Sequence, residues 1–336
     1  MRKVSGIIAA AALVASVALV GPAANAGETI AGAGSSYMGA IQKTCAAAYT
    51  AHTVTYDPAG SSTGKSKFAA GTTQFGGSDS LYAAGSEPAN FTYVPLVGGP
   101  VGIMFNVPGL ANLNLTPKLI SDIFLGKITT WNDAAIKKVN KATASKLPAQ
   151  TIQIVYRSDG SGTTNNFTNY LSQTVGKPWV ANDAWATASG STKGTGGAKS
   201  AGVVAAMKSL PYSIGYVDLA DAATAGIPFA AVQNGAKQFI KPSVNASKKF
   251  LAQQLMNERG VVLFDYNEVV KGGYNLTLLA YGIAPTKAGT AKAGAVQDYF
   301  KYFLNTCAPK EAAKLNYVAL SGSVLKTANS LVAKIK

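Results

Sequence analysis
Three stretches of the chain set glycines and small hydroxyl residues directly after a β-rich run. They are Gly32-Ala33-Gly34-Ser35-Ser36-Tyr37, Gly60-Ser61-Ser62-Thr63-Gly64 and Asp159-Gly160-Ser161-Gly162-Thr163-Thr164. Each reads as a strand end that turns at once into a helix. A helix N-terminus offers unpaired backbone N–H groups and the positive end of the helix dipole. Glycine lets the backbone approach a ligand closely, and Ser or Thr adds hydroxyl donors. Three such termini brought together would hold a tetrahedral oxyanion. Any one of them alone is ordinary helix capping; the recurrence is what points to a site.

Arginine sharpens that reading. It occurs only as Arg2, Arg157 and Arg259, in a chain that otherwise uses lysine for its positive charge. Arg157 stands at a strand end beside the third loop, and a guanidinium fork grips an oxyanion through two parallel bonds, as lysine cannot. An Arg157–Asp159 pair would be structural, and it would also fix the fork in place. Asp79 is the odd partner, since a carboxylate repels an oxyanion unless one of the two carries a proton. A protonated ligand oxygen donates to Asp79; an unprotonated competitor cannot. Taken by itself, Asp79 also fits an ordinary turn or helix cap.

Two other motifs overlap the second loop. Gly60-x-Ser62-x-Gly64 matches a hydrolase nucleophile elbow, yet the one histidine, His52, precedes it by a strand, and the usual order places the histidine after the nucleophile. Ala59 to Ser66 resembles a phosphate-binding P-loop with Ala in place of its first glycine. No strand Asp suited to holding Mg²⁺ accompanies it, and an exported protein meets little ATP.

The elements that must position these residues alternate. Strands are expected at 29–32, 54–56, 93–105, 152–156 and 214–217. Helices are expected at 39–50, from 60, and at 116–124, 131–140, 201–209, 248–256, 290–304 and 321–335, with one running from the third loop through Leu171. The Gly/Ser/Thr/Lys-rich stretch 187–200 reads as a loop. Alternation of this kind argues α/β layers on mainly parallel sheets. The 336 residues suffice for about two domains, and a 48% hydrophobic, aromatic-bearing composition excludes disorder. Two cysteines, Cys45 and Cys307, permit one disulfide or two buried thiols.

Residues 1–26 read as a secretory signal peptide. Arg2 and Lys3 precede an apolar stretch from Ile7 to Val20, and Ala24-Asn25-Ala26 offers a cleavage site before Gly27. No cysteine follows it to take a lipid. Losing the leader takes the net charge from +15 to +13, since Arg2 and Lys3 go with it. Export allows the disulfide to form.

Taken in order, Gly32–Tyr37, Gly60-Ser61-Ser62, Phe75-Gly76-Gly77-Ser78-Asp79, Ile123-Phe124-Leu125-Gly126-Lys127-Ile128-x-x-Trp131-Asn132-Asp133, Arg157–Thr164 and Ser213-Ile214-Gly215-Tyr216-Val217 resemble the phosphate-binding proteins of bacterial phosphate ABC transporters. The likeness covers about 29–218 and fades toward the C-terminus. It implies an α/β, two-lobed periplasmic-binding-protein fold of type II, hinged, with phosphate in the cleft. One lobe would comprise 27–102 and 277–336 and the other 103–276, so Cys45 and Cys307 would share a lobe. Carried over by position, the ligand set is Ser36, Tyr37, Ser61, Asp79, Arg157 with Asp159 orienting it, Ser161, Gly162 and Thr163. The family's first loop commonly has Phe where Tyr37 stands, so a buried Tyr37 hydroxyl must find its own partner. Gly77 stands where Ala is common, and no ligand is carried over from 190–202.

The resemblance further implies a monomer that delivers inorganic phosphate to a membrane ABC permease from the periplasm or cell envelope, without cofactor, metal, nucleic acid or catalysis. Two rival readings are an exported phosphatase or esterase using Ser62 or Ser161, and a basic envelope-associated interaction protein. Scattered lysines make nucleic-acid binding weaker still.

Overall fold
The computed structural model describes residues 27–223 and 225–336, so the expected leader, 1–26, lies outside the described residues. The first elements come in strand–helix pairs. Thr29–Gly34 (β1) is followed by Gly39–Ala48 (α1), Thr53–Asp57 (β2) by Ser61–Ala69 (α2), and Phe75–Ser78 (β3) runs straight into Asp79. β1 pairs in parallel with β2 and β3, so all three deliver their C-terminal ends to one edge.

Phe91–Asn106 (β4) is a 16-residue strand whose interior is wholly buried. Two prolines shape it, because proline has no N–H to give a ladder. The register shifts opposite Pro95, and after Pro100 the strand changes neighbours. Asn114–Leu115 (β5), Pro117–Phe124 (α3) and Ala134–Val139 (α4) follow. Thr116 and Asp133 cap those two helices by accepting from Leu119 N and Ala135 N. Gln153–Arg157 (β6) feeds Gly162–Thr174 (α5).

Next come Trp185–Ser189 (α6), Thr195–Gly197 (β7), Lys199–Ser209 (α7), Ser213–Asp218 (β8) and Leu219–Ala222 (α8). The 187–200 stretch is therefore no plain loop. It holds the end of α6, a parallel strand on β6 and the start of α7. A strand of Thr-Gly-Gly carries no apolar alternation, and only its backbone pairing makes it one.

The chain continues through Ala231–Gln233 (β9), Phe239–Ile240 (β10), Val244–Leu251 (α9), Leu255–Met256 (β11) and Val262–Leu263 (β12). The helix expected at 248–256 thus begins earlier, capped by Ser243, and stops before Leu255, which pairs instead with Leu263. Thr277–Pro285 (β13), Ala293–Tyr302 (α10), Ala308–Glu311 (α11), Val318–Ala319 (β14) and Gly322–Val332 (α12) complete the described order.

The main sheet runs β2-β1-β3-β13-β4-β8-β6-β7, with β14 also on β4. It is mixed, which corrects the expectation of mainly parallel sheets. Both flanks are parallel, but β13 is antiparallel to β3 and β4, and β4 to β8. β4 pairs with β13 over 91–100 and with β8 over 101–106, so one strand serves two half-sheets. The C-terminal α10 packs on α1: Tyr299 donates to Gln42 Oε1 at 2.6 Å, and Cys307, in the π-turn Phe303–Cys307, is disulfide-bonded to Cys45.

Candidate functional site
The turns that follow β1, β2, β3 and β6 interlock. The Ser62 N–H donates to Gly160 O at 3.1 Å, joining the second loop to the third. Gly162, the first residue of α5, lies so close that a Cβ there would stand 2.6 Å from Ser61 Oγ and 2.8 Å from Asp79 Cβ. Ser36 Oγ shares a hydrogen bond of 3.1 Å with Ser200 Oγ on α7. Ser36, Ser61, Asp79, Arg157, Ser161, Gly162 and Thr163 are therefore drawn into one buried region, and Tyr37 and Asp159 border it.

Asp79 sits at its centre, 4% exposed. Oδ1 accepts from Ser35 Oγ, Oδ2 accepts from Thr163 Oγ1 at 3.3 Å, and the backbone N–H donates to Ser61 Oγ at 3.2 Å. Burial pushes its carboxyl up to about 6, while the Ser35 and Thr163 bonds and the Arg157 charge pull the other way. Arg157 is 2% exposed and gives two parallel bonds to Asp159, Nε to Oδ1 at 2.7 Å and Nη2 to Oδ2 at 2.6 Å. Burial works against the guanidinium charge, but Asp159 outweighs it and its pKa rises. Burial would likewise lift Asp159, yet the Arg157 bonds hold it below the ordinary carboxylate range. The Lys199 N–H, donating to Asp159 Oδ1 at 2.8 Å, anchors the carboxylate from its other side.

The remaining residues divide by what their polar groups do. Ser161 caps α5, its Oγ accepting from Thr164 N at 3.2 Å, and its hydroxyl proton stays free to donate. The first-turn N–H groups of Gly162 and Thr163 have no intrahelical acceptor. The Tyr37 phenol turns away into the core, edge-on to Tyr317, and its hydroxyl has no hydrogen-bond partner among the described residues. Only the Tyr37 backbone borders the site, with its carbonyl accepting from Tyr317 OH at 2.6 Å.

Several participants were not among the residues expected to form the site, Ser35 among them although it lies in the first loop. Ser35 braces Asp79 across 44 residues and Ser200 meets Ser36 across 164. Asp218, fully buried at the end of β8, has one carboxylate oxygen without a partner; burial first, then neighbouring Asp221, drives its pKa upward. His52 lies apart, accepting from Glu28 N and facing Asp298 at 3.7 Å. No cluster of metal-ligating side chains occurs among the described residues.

A family model described as a PBP superfamily domain matches residues 21–306. The chain is 34% identical over 305 residues to the phosphate-binding protein PstS of Xylella fastidiosa, covering 88% of this chain and 83% of that one. It is 31% identical over 311 residues to PstS of Methanocaldococcus jannaschii, covering 84% and 79%. Among solved structures, a high-affinity periplasmic phosphate-binding protein (PfluDING) bound with phosphate aligns at a TM-score of 0.74 and 22% identity, covering 90% of this chain and 93% of that one. A phosphate-binding protein from Stenotrophomonas maltophilia aligns at 0.70 and 18%, with the same coverage. At those identities the structural likeness speaks for the fold.

Proposed function
The chain belongs to the PBP superfamily and, within it, to the PstS phosphate-binding proteins, and on that premise we propose that it captures one inorganic phosphate in a cleft and hands it to an ABC permease. The observation that carries the reading is the buried meeting of Asp79 with Arg157 where the three loops interlock. A buried guanidinium fixed by Asp159, set beside a buried and braced Asp79 carboxylate, suits an oxyanion that itself bears a proton.

Arg157, held flat by Asp159, supplies the fixed positive charge. Ser36, Ser61 and Ser161 donate through hydroxyls, and Tyr37, Gly162 and Thr163 through backbone N–H groups, while the Thr163 hydroxyl braces Asp79. Asp79 accepts the ligand's proton. Sulfate has no proton to give at neutral pH, so its oxygens would face carboxylate lone pairs, and that unpaired buried contact costs several kcal/mol. Calorimetric titration with phosphate and sulfate tests this. Wild type binds phosphate far more tightly, and Asp79→Asn narrows the gap about a hundredfold. Unchanged selectivity in the variant refutes the role given to Asp79.

We place one lobe at 27–102 with 277–336 and the other at 103–276. The change of partner along β4 between Pro100 and Val101 supports that boundary, as does the Val101 N–H donating to Leu276 O at 3.0 Å. We read the protein as a monomeric binder without turnover. Ser62 donates to Asp183, Ser161 caps a helix, and neither is paired with a histidine base. No helix of the described residues is long and apolar enough to cross a membrane. The leader-like 1–26 segment supports action outside the cytoplasmic membrane after cleavage before Gly27.

A further inference from the structure
The Gly64-Lys65-Ser66 run that resembles a P-loop does something else here. Lys65, on α2, has its ammonium shielded and spends its three protons on Ser80 Oγ at 2.9 Å, Leu81 O at 2.8 Å and Asp183 Oδ2 at 3.0 Å. Asp183 lies between α5 and α6, on the far side of the proposed cleft. The same Oδ2 accepts from Ser62 Oγ at 2.8 Å and Ser80 Oγ at 3.0 Å, while Oδ1 accepts from Asn165 Nδ2 at 3.0 Å. Three of these four donors come from α2 and the turn after Asp79, and one from α5. The Lys65 and Asp183 side chains are each only 13% exposed. The Asp183 carbonyl also accepts from Ser161 N at 3.0 Å, tying the residue to the third anion loop.

We propose that Asp183 and Lys65 form a closure latch, a shielded charge pair made only when the lobes meet, which sets how long phosphate stays without touching it. The inference rests on the two-lobe phosphate reading above. A hydrogen-bonded charge pair out of water resists separation, and removing one partner leaves the other buried and unpaired, an effect that falls on dissociation rather than association. Both are positioning residues. Neither belongs to the ligand set.

The test uses the mature protein, inorganic phosphate as probe and intrinsic tryptophan fluorescence in stopped flow, on wild type, Asp183→Asn, Lys65→Met and the double variant. Each single variant releases phosphate at least about tenfold faster while its association rate stays within about twofold. The double variant is no worse than the weaker single one, because the two residues share one interaction. The phosphate-free melting temperature of Asp183→Asn stays at the wild-type value, since the open protein does not make the pair, and its phosphate-induced rise shrinks. Lys65→Met also loses its bonds to Ser80 and Leu81 within its own lobe, so the melting test is read on Asp183→Asn. Phosphate binding with unchanged release in both single variants overturns the latch alone. So does a phosphate-free melting temperature of Asp183→Asn that falls as far as its phosphate-bound one, because that marks a scaffold role. A wild type with no phosphate signal in fluorescence or calorimetry overturns the phosphate reading and the latch with it.

Discussion
Asp79 and Arg157 bring opposite charges into the same dry space, and each owes its protonation state to neighbours. Because burial lifts the Asp79 carboxyl to about 6, it is ionised and able to accept a proton at neutral pH but loses that ability below. Phosphate affinity should therefore fall as pH drops through about 6, with a slope approaching tenfold per pH unit, while Asp79→Asn flattens that limb. Calorimetry between pH 4.5 and 8 reads it, and a flat wild-type profile below 6 would show that Asp79 does not accept the proton. At this scale the sequence was informative where chemistry is written into residue type. Arg157 stood out because arginine is scarce, and Asp79 because a carboxylate is strange beside an oxyanion. Ser35, although inside the first loop, gave no sign of its role, and Ser200 and Asp183 were not legible. Each is an ordinary residue whose partner lies 44, 164 or 121 positions away, and only the folded chain joins them.

Among the elements, α5 does most to build the site. Its cap, its first residue and its first turn all belong to the third loop, and its N-terminus is pressed onto Asp79 and Ser61. Gly162→Ala should leave α5 intact, since alanine is the better helix former, yet the new methyl collides with Ser61 and Asp79 when the loops interlock. Phosphate affinity should drop about tenfold or more while the phosphate-free melting temperature changes by less than about 2 °C. A large loss of melting temperature without phosphate would instead mean that the contact belongs to the scaffold. Strand–helix pairs such as β2–α2 and β6–α5 were readable because β-branched and aromatic strands followed at once by Gly/hydroxyl turns are local signals. β7 was not, since Thr-Gly-Gly has no side-chain pattern and exists as a strand only against β6. The antiparallel centre was hidden for a related reason. β13 is buried at every position, and an unbroken apolar run does not say which neighbours it will have or which way they point.

At the scale of the whole molecule, the disulfide joins positions 262 residues apart, on α1 and just beyond α10. By the chain-entropy account, a loop that long restrains the unfolded chain by about 5 kcal/mol. Replacing both cysteines with alanine should lower unfolding stability by roughly 3–5 kcal/mol in denaturant titration and leave phosphate affinity nearly unchanged, because neither sulfur approaches the anion loops. Equal loss of affinity and stability would contradict that separation. The net charge of +15, by contrast, says little about the site. It is mostly scattered lysine, screened beyond a Debye length at physiological salt, while the proposed ligand set holds one arginine against two aspartates.

β13 lies between β3 and β4, although it begins about 170 residues after β4 ends. A ribosome that has delivered β1 to β4 has therefore delivered a sheet with its middle missing. The gap closes only when Thr277–Pro285 arrives, and the cysteine at 307 comes later still. The early part of the chain must wait, unfinished and threadable, until nearly all of it has been synthesised. That is the condition a polypeptide needs if it is to pass through a translocation channel before it folds.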